Sequence, residues 1–313
     1  MKEPKVCVIG LGGQSAFLSV EHFPAPGETV SGSDLFFELG GKGYNQAVAC
    51  ARMGVKTTFI GAVGFDDHGD ACRRALEAEG ITACLIRKEA PTAFACITTD
   101  SSGENMVQVY PGAAKELMPE DLRLGCVMKE LESCDYLLLQ NELSPSCLTE
   151  ACAIGKELGL RVIVNPAPAE NIPFDTLQDC CLMTPNYGEA KLLAGFAQQD
   201  QPNAQALVDA LRAKGIHRGV ITLGKDGALI IGEEGWEIVP AYTCAAPVDT
   251  TGAGDTFNGV LAACLAMGKD LAEAVRMGAV AAGIGVTRHG AVAGIPRVEE
   301  VLAAYKLVYT DSE

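Results

Sequence analysis

Positive charge is scarce in this 313-residue sequence: 24 Lys and Arg stand against 40 Asp and Glu, for a formal charge of −16. With no excess of cations to displace phosphate counterions, a nucleic-acid partner is excluded, as is docking on an anionic membrane surface. Long apolar runs are also missing, and none approaches the roughly 18 residues that a bilayer span needs. The run in MKEPKVCVIG is too short for a secretion signal. Histidine occurs four times, and no two of the 13 cysteines have C-x-x-C spacing, which excludes the usual structural zinc sites. An odd number of cysteines set mostly in apolar runs reads as free core thiols of a cytoplasmic protein. Three fingerprints are absent as well. There is no G-x-x-x-x-G-K-S/T loop for phosphates and no G-x-S-x-G nucleophile elbow. Gly10-Leu11-Gly12-Gly13-Gln14-Ser15 fails as a dinucleotide loop, because Ser15 stands where the third glycine belongs and a strand-like stretch follows. A nicotinamide-dependent dehydrogenase is therefore excluded.

What is present is an alternation of strand-like and helix-like stretches, which predicts an α/β class with a doubly wound, mostly parallel sheet. Strands are expected at Lys5–Ile9, Thr57–Val63, Tyr136–Gln140, Arg161–Asn165, Cys181–Thr184 and Gly219–Leu223. Helices are expected at Asn45–Met53, Asp67–Glu79, Ser146–Leu158, Tyr187–Ala194 and Ala204–Lys214, with three more at Asp255–Met267, Leu271–Val286 and Val298–Val308. Two stretches break the rhythm, Leu18–Leu39 and Thr92–Tyr110, both rich in β-formers and turn residues. They predict a small antiparallel sheet built from two insertions, about 12–39 and 91–112, on one domain spanning 1–313. The acidic end, Thr310–Glu313, reads as frayed.

The strongest chemical signal is Val248-Asp249-Thr250-Thr251-Gly252-Ala253-Gly254-Asp255-Thr256-Phe257-Asn258-Gly259, followed by an apolar helix. Small residues before a helix leave its first amides exposed, and with the dipole they form an anion site without a lysine. That is what phosphate chemistry requires of so acidic a chain. Asp255 in the first turn has two readings: a carboxylate that complements the dipole, or a general base for a hydroxyl that attacks phosphorus. A second glycine-rich junction, Gly40-Gly41-Lys42-Gly43-Tyr44-Asn45-Gln46-Ala47, also has two readings. Close backbone approach to a ligand with Lys42 and Asn45 as donors is one; a turn with Asn45 as the helix N-cap is the other.

Together these two motifs resemble the paired signatures of the ribokinase-like sugar kinases, the phosphofructokinase B type. Further segments match in the same order: Phe23–Val30, Asn165–Ala169, Thr184–Asn186, Ile221–Gly224 and Val286–Ala291. The resemblance implies a doubly wound domain with a β-sheet lid, the lid forming the contact of a homodimer. It also implies ATP-dependent phosphorylation of a primary hydroxyl on a small sugar or sugar-like compound. Asp255 would be the base, and the amides of Gly252, Ala253 and Gly254 the anion hole. The ATP site would comprise Asn186, Thr222, Leu223, Gly224, Lys225, Asp226, Gly227, Gly254 and Ala279. Glu189, in an N-x-x-E motif, would act on Mg²⁺ through water, and Asp249, Thr251, Gly285, Arg288, Gly290 and Gly294 would surround K⁺. Gly41, Lys42, Asn45 and Glu142 would bind sugar hydroxyls.

One departure stands out. Gly13 and Ser15 occupy positions where ribose-specific members carry Asn and Asp, so a carboxylate for two sugar hydroxyls is missing. Ribose is the leading substrate, with a deoxy sugar, ketose, sugar acid or nucleoside as alternatives. Tyr44 replaces alanine, either stacking on a ring or base or packing against the lid. A non-catalytic sugar or nucleotide sensor on the same fold is the competing class.

Overall fold

The computed structural model describes residues 3–174, 180–233 and 235–309. Thr310–Glu313, expected to fray, lies outside the described residues. Continuous apolar runs, which bury both faces of a strand, occupy the middle of a nine-stranded sheet. Lys5–Ile9 (β1) pairs in parallel with Tyr136–Gln140 (β8) on one side and Lys56–Gly64 (β4) on the other. Arg161–Asn165 (β9), Leu182–Met183 (β10) and Gly219–Thr222 (β11) extend the sheet in parallel beyond β8, and Thr82–Lys88 (β5) closes the edge beyond β4. A hairpin completes the far edge: Ala228–Ile231 (β12) and Trp236–Val239 (β13) run antiparallel. Apolar clusters fill both faces of the sheet, one under helices Lys42–Arg52, Ala253–Ala266 and Leu271–Gly285, the other under Pro145–Glu157 and Ala204–Ala213.

Beyond the carboxyl ends of β1 and β4 stands a separate four-stranded sheet. Its strands are Gly13–Val20 (β2), Gly32–Gly40 (β3), Ala93–Thr99 (β6) and Asn105–Tyr110 (β7). The expectation of a wholly antiparallel lid is corrected here. β2–β3 and β6–β7 are antiparallel hairpins, but the central pair β2–β6 is parallel. The two insertions leave β1 and β5, which flank β4 and run in the same direction, and their first strands meet side by side.

The chain crosses between core and lid where backbones nearly touch. A Cβ on Gly13 would lie 2.3 Å from the Ala93 carbonyl, and one on Gly112 would lie 2.2 Å from that of Pro91. Gly41, at φ 111°, approaches the Leu11 carbonyl to 2.6 Å in the same sense. Asp66 ties the β6 crossing down. Its carboxylate accepts from the Thr92 N–H (2.7 Å) and hydroxyl (2.5 Å) and from the Gly69 N–H (2.8 Å), so that it also caps the Asp67–Ala78 helix.

None of the cysteines is in a disulfide. Cys7, Cys50, Cys72, Cys134, Cys147, Cys152 and Cys264 are buried, but Cys126 and Cys244 are exposed, so the reading of core thiols does not hold for those two.

Candidate active site

Two helix N-termini converge at the carboxyl edge of the sheet, where open α/β sheets place their ligands. The Lys42–Arg52 helix begins three residues before the expected start, with Gly41 as its N-cap; Asn45 is therefore not the cap. It crosses the Ala253–Ala266 helix at Gly259, where a Cβ would lie 2.5 Å from the Ala49 Cβ and the Gln46 carbonyl oxygen. That close approach brings Asn45 and Gln46 onto Asp255.

Asp255 is buried, and both of its oxygens are held. Asn45 Nδ2 donates to Oδ2 at 3.0 Å and Gln46 Nε2 donates to Oδ1 at 3.0 Å. The two amide donors fix the rotamer of this carboxylate. Behind Asp255 a polar chain runs under the helix end. Gln140 Nε2 donates to Gln46 Oε1 (2.7 Å), Gln46 to Asn165 Oδ1 (3.1 Å), and Asn165 to the Thr184 carbonyl (2.7 Å). The Thr184 hydroxyl donates to Asn258, whose Nδ2 donates to the Gly254 carbonyl (2.8 Å). Asn45 Oδ1 is buried without a partner among the described residues, an acceptor left for a hydroxyl of a ligand.

Gly252, at φ 74°, is the N-cap of the Ala253–Ala266 helix, so the amides of Gly254 and Asp255 open its first turn. The Ala253 N–H donates to the Thr250 carbonyl at 3.3 Å. Lys42 stands opposite. Burial would lower its pKa, but Asp255, Glu142 and Glu189 outweigh that and raise it, so the ammonium is charged among three carboxylates. Burial pushes the Glu142 carboxyl up to about 7; the Lys42 ammonium opposes this, Asp255 adds to it, and the Lys42 N–H donates to Oε2 at 2.9 Å. Ser15 pairs with Glu38 in the lid, and its Oγ lies near Asn45 across Gly40.

A cavity of about 290 Å³ adjoins this centre on the other side of the helix end. Thr222, Gly224, Lys225, Gly227, Gly254 and Ala279 line it, as the resemblance implies; Tyr242 and Phe257 also line it. Leu223 and Asp226 are not in the lining: Leu223 packs on the apolar cluster and Asp226 is exposed. Asn186 and Glu189 form a capping box, with the Glu189 N–H on Asn186 Oδ1 (2.9 Å) and the Asn186 N–H on Glu189 Oε2 (2.8 Å). Burial raises the Glu189 pKa against the Asn186 N–H and Lys42, which lower it.

The six positions implied for K⁺ meet in one loop cluster. Asp249 accepts from the Thr251 N–H (2.9 Å) and the Gly290 N–H (3.0 Å), and these bonds hold its pKa down despite burial. A Cβ on Gly294 would lie 2.8 Å from the Gly290 carbonyl and 3.1 Å from that of Gly285, so two carbonyls face one small cradle. That donor set fits a monovalent cation. The Arg288 side chain turns away to Glu300. For Mg²⁺, no cluster of three or more His, Cys, Asp or Glu exists among the described residues. The donors fit an ion carried by nucleotide phosphates and water, with Glu189 at its edge, and not a protein cage.

The pfkB family carbohydrate kinase signature matches residues 3–297. The chain belongs to this family. The kinase is 36% identical over 297 residues to the ribokinase of Haemophilus influenzae, covering 94% of this chain and 96% of that protein. It is 30% identical over 298 residues to the deoxyribokinase of Salmonella typhimurium (94% and 96%). The solved ribokinase of Arabidopsis thaliana, complexed with ribose and ATP, superposes with a TM-score of 0.88 at 28% identity, covering 98% of the kinase and 99% of that chain. The kinase is an ATP-dependent phosphotransferase of ribokinase-like fold.

Two sequence readings change with this geometry. Tyr44 is 2% exposed and meets Phe59 edge-on in the core, so it neither offers a stacking surface nor packs on the lid alone. Gly13 is a crossing glycine whose backbone faces Ala93, which leaves no room there for a side chain such as the Asn of ribose-specific members. Sequence reasoning missed Gln46, Gln140 and Asn165. An available signal was that β8 and β9, YLLLQ and RVIVN, each end an apolar run with an amide at the sheet's carboxyl edge.

Proposed function

We propose that the kinase transfers the γ-phosphoryl of ATP to a primary hydroxyl of a pentose, with D-ribose as the leading substrate. The observation that supports it best is Asp255, buried, gripped on both oxygens by amides, and set in the first turn of a helix with open N-terminal N–H groups. Asp255 takes the hydroxyl proton as the oxygen attacks phosphorus. The amides of Gly252 and Gly254 stabilise charge on the transferring group, while that of Ala253 is engaged by the Thr250 carbonyl. Asn45, Lys42, Glu142 and the Gly41 backbone hold the sugar; the cavity lined by Ala279 and the 222–227 segment takes the nucleotide. Mg²⁺, when bound, neutralises phosphate charge, and K⁺ in the carbonyl cradle near Gly294 steadies the loop behind the anion hole. The free thiols suit a cytoplasmic enzyme.

The lid exposes Leu35, Phe36, Phe37, Met106, Val107, Val109 and Tyr110, and this apolar surface supports a homodimer joined through the lids. A second substrate reading rests on Gly13 and Ser15. Without the Asn and Asp, a sugar lacking one of the corresponding hydroxyls, such as 2-deoxyribose, loses nothing by comparison with ribose. The buried Tyr44 gives no support to a nucleoside substrate. The test is ADP release over pentoses, deoxypentoses, hexoses, sugar acids and nucleosides. Strong turnover on D-ribose or 2-deoxyribose is expected; release on none of these compounds would overturn the pentose reading.

A further inference from the structure

Glu38 belongs to the lid, yet it is bound to the core from 253 residues away. Its Oε2 accepts from the Ala291 N–H at 2.9 Å, and its Oε1 accepts from the Val292 and Ala293 N–H groups at 2.9 and 3.0 Å. Three backbone donors on one carboxylate make a strong, directional anchor. The same loop is gripped from its carbonyl side, where Arg52 donates to Val292 O (2.8 Å) and Ile295 O (2.7 Å). Ala291 in turn lies against Gly252, where a Cβ would come within 3.0 Å of the Ala291 carbonyl and Cβ. Gly252 caps the helix that carries Asp255. In the lid, Glu38 is registered opposite Ser15, on the strand beside the sugar positions. One side chain thus joins the lid over the sugar to the backing of the phosphoryl site.

We propose that Glu38 is a positioning residue: from the lid, it fixes the Ala291–Ala293 loop behind Gly252 and so sets the amides that stabilise phosphoryl transfer. The proposal rests on reading Gly252–Gly254 as the anion hole. Peptide planes are stiff, so releasing these N–H groups lets Ala291 and the Gly252 cap shift together, and small displacements at a reacting centre cost large factors in rate.

The test is Glu38→Gln, which keeps the size but turns an NH₂ toward at least one of the three N–H donors. Expected is a fall in kcat of about tenfold or more, with KM for ATP changed less than about twofold. A second readout needs no turnover. Aluminium fluoride with D-ribose should tighten MgADP binding to the wild type, and the variant should lose most of that gain while binding MgADP alone equally well. A merely structural role would lower the melting temperature and leave that gain intact. Glu38→Asp keeps the charge and shortens the reach; it must show the same split, and it decides the matter if Glu38→Gln does not fold. Unchanged kcat and an unchanged fluoride gain would overturn the proposal. Gly252→Ala separates the two layers: if it too leaves kcat unchanged, the anion-hole reading itself falls.

Discussion

The central sheet and the lid sheet are built on opposite terms. In β8 every residue is buried, and Leu138 is 0% exposed. In β3, by contrast, Leu35 is 54% and Phe37 60% exposed, and every residue of β7 is exposed. The core strands hold their place by burial on both faces, which makes their carboxyl ends a rigid mount for Gln140 and Asn165. The lid has four strands and little beneath them, so its own packing does not fix its position. What fixes it are the glycine crossings, the Asp66–Thr92 clamp and the Glu38 anchor. The site's mount comes from the core; the sheet beside it is attached at a few points.

That contrast can be broken from either side. The largest effect is expected at the core mount. Gln46→Leu removes a donor from Asp255 and strips Gln140 of its acceptor, so kcat should fall roughly 10- to 100-fold in steady-state assays with D-ribose. A melting temperature lowered with kcat unchanged would reduce Gln46 to a packing residue. Next comes burial itself. Leu138→Ala should cost about 2–5 kcal/mol in urea unfolding, whereas Leu35→Ala should stay within about 0.5 kcal/mol. Equal costs would mean that the lid is a packed layer after all.

The third is a pH effect at the junction of the two regions. Glu142 in the folded protein holds its proton up to about pH 7, against 4.5 for the free side chain. Its stabilising contribution is therefore complete below the unfolded pKa and lost as pH rises through 7. Wild type should lose stability over that window relative to Glu142→Gln. Ionised Glu142 is the better acceptor for sugar hydroxyls, so KM for D-ribose should fall by up to about tenfold between pH 6 and pH 8. A flat profile would remove Glu142 from sugar binding. The smallest change in fold is expected from Phe37→Asp: light scattering should report the 32.7 kDa monomer in place of a dimer, with little shift in melting. A wild type that is already monomeric would contradict the proposed lid contact.

The core was the more legible of the two regions. β1, β8 and β9 follow the expected bounds because apolar runs of five residues with turn signals admit little else. The helix at Ala253 was legible because a glycine run before an apolar stretch marks a helix N-terminus wherever it occurs. β5 and the β12–β13 hairpin were not read, being short strands whose pairing at the sheet edges depends on neighbours far along the chain. The parallel pairing of β2 with β6 was hidden for the same reason. Within the site, Asp255, Lys42 and Asn45 announced themselves through local motifs. Gln46 and Glu38 did not, since what they do is set by partners 209 and 253 residues away.

The claim at the centre of this account is that Asp255 takes the acceptor's proton. Asp255→Asn keeps the size: its carbonyl can still accept from Gln46, and its NH₂ can donate to Asn45 Oδ1 once the Asn45 amide flips. Single-turnover phosphorylation of D-ribose, with sugar and MgATP binding measured separately, tests that claim directly. The account predicts a rate lower by about 10²–10⁴-fold with both ligands still bound. A rate within a few-fold of wild type would show that the proton leaves by another route.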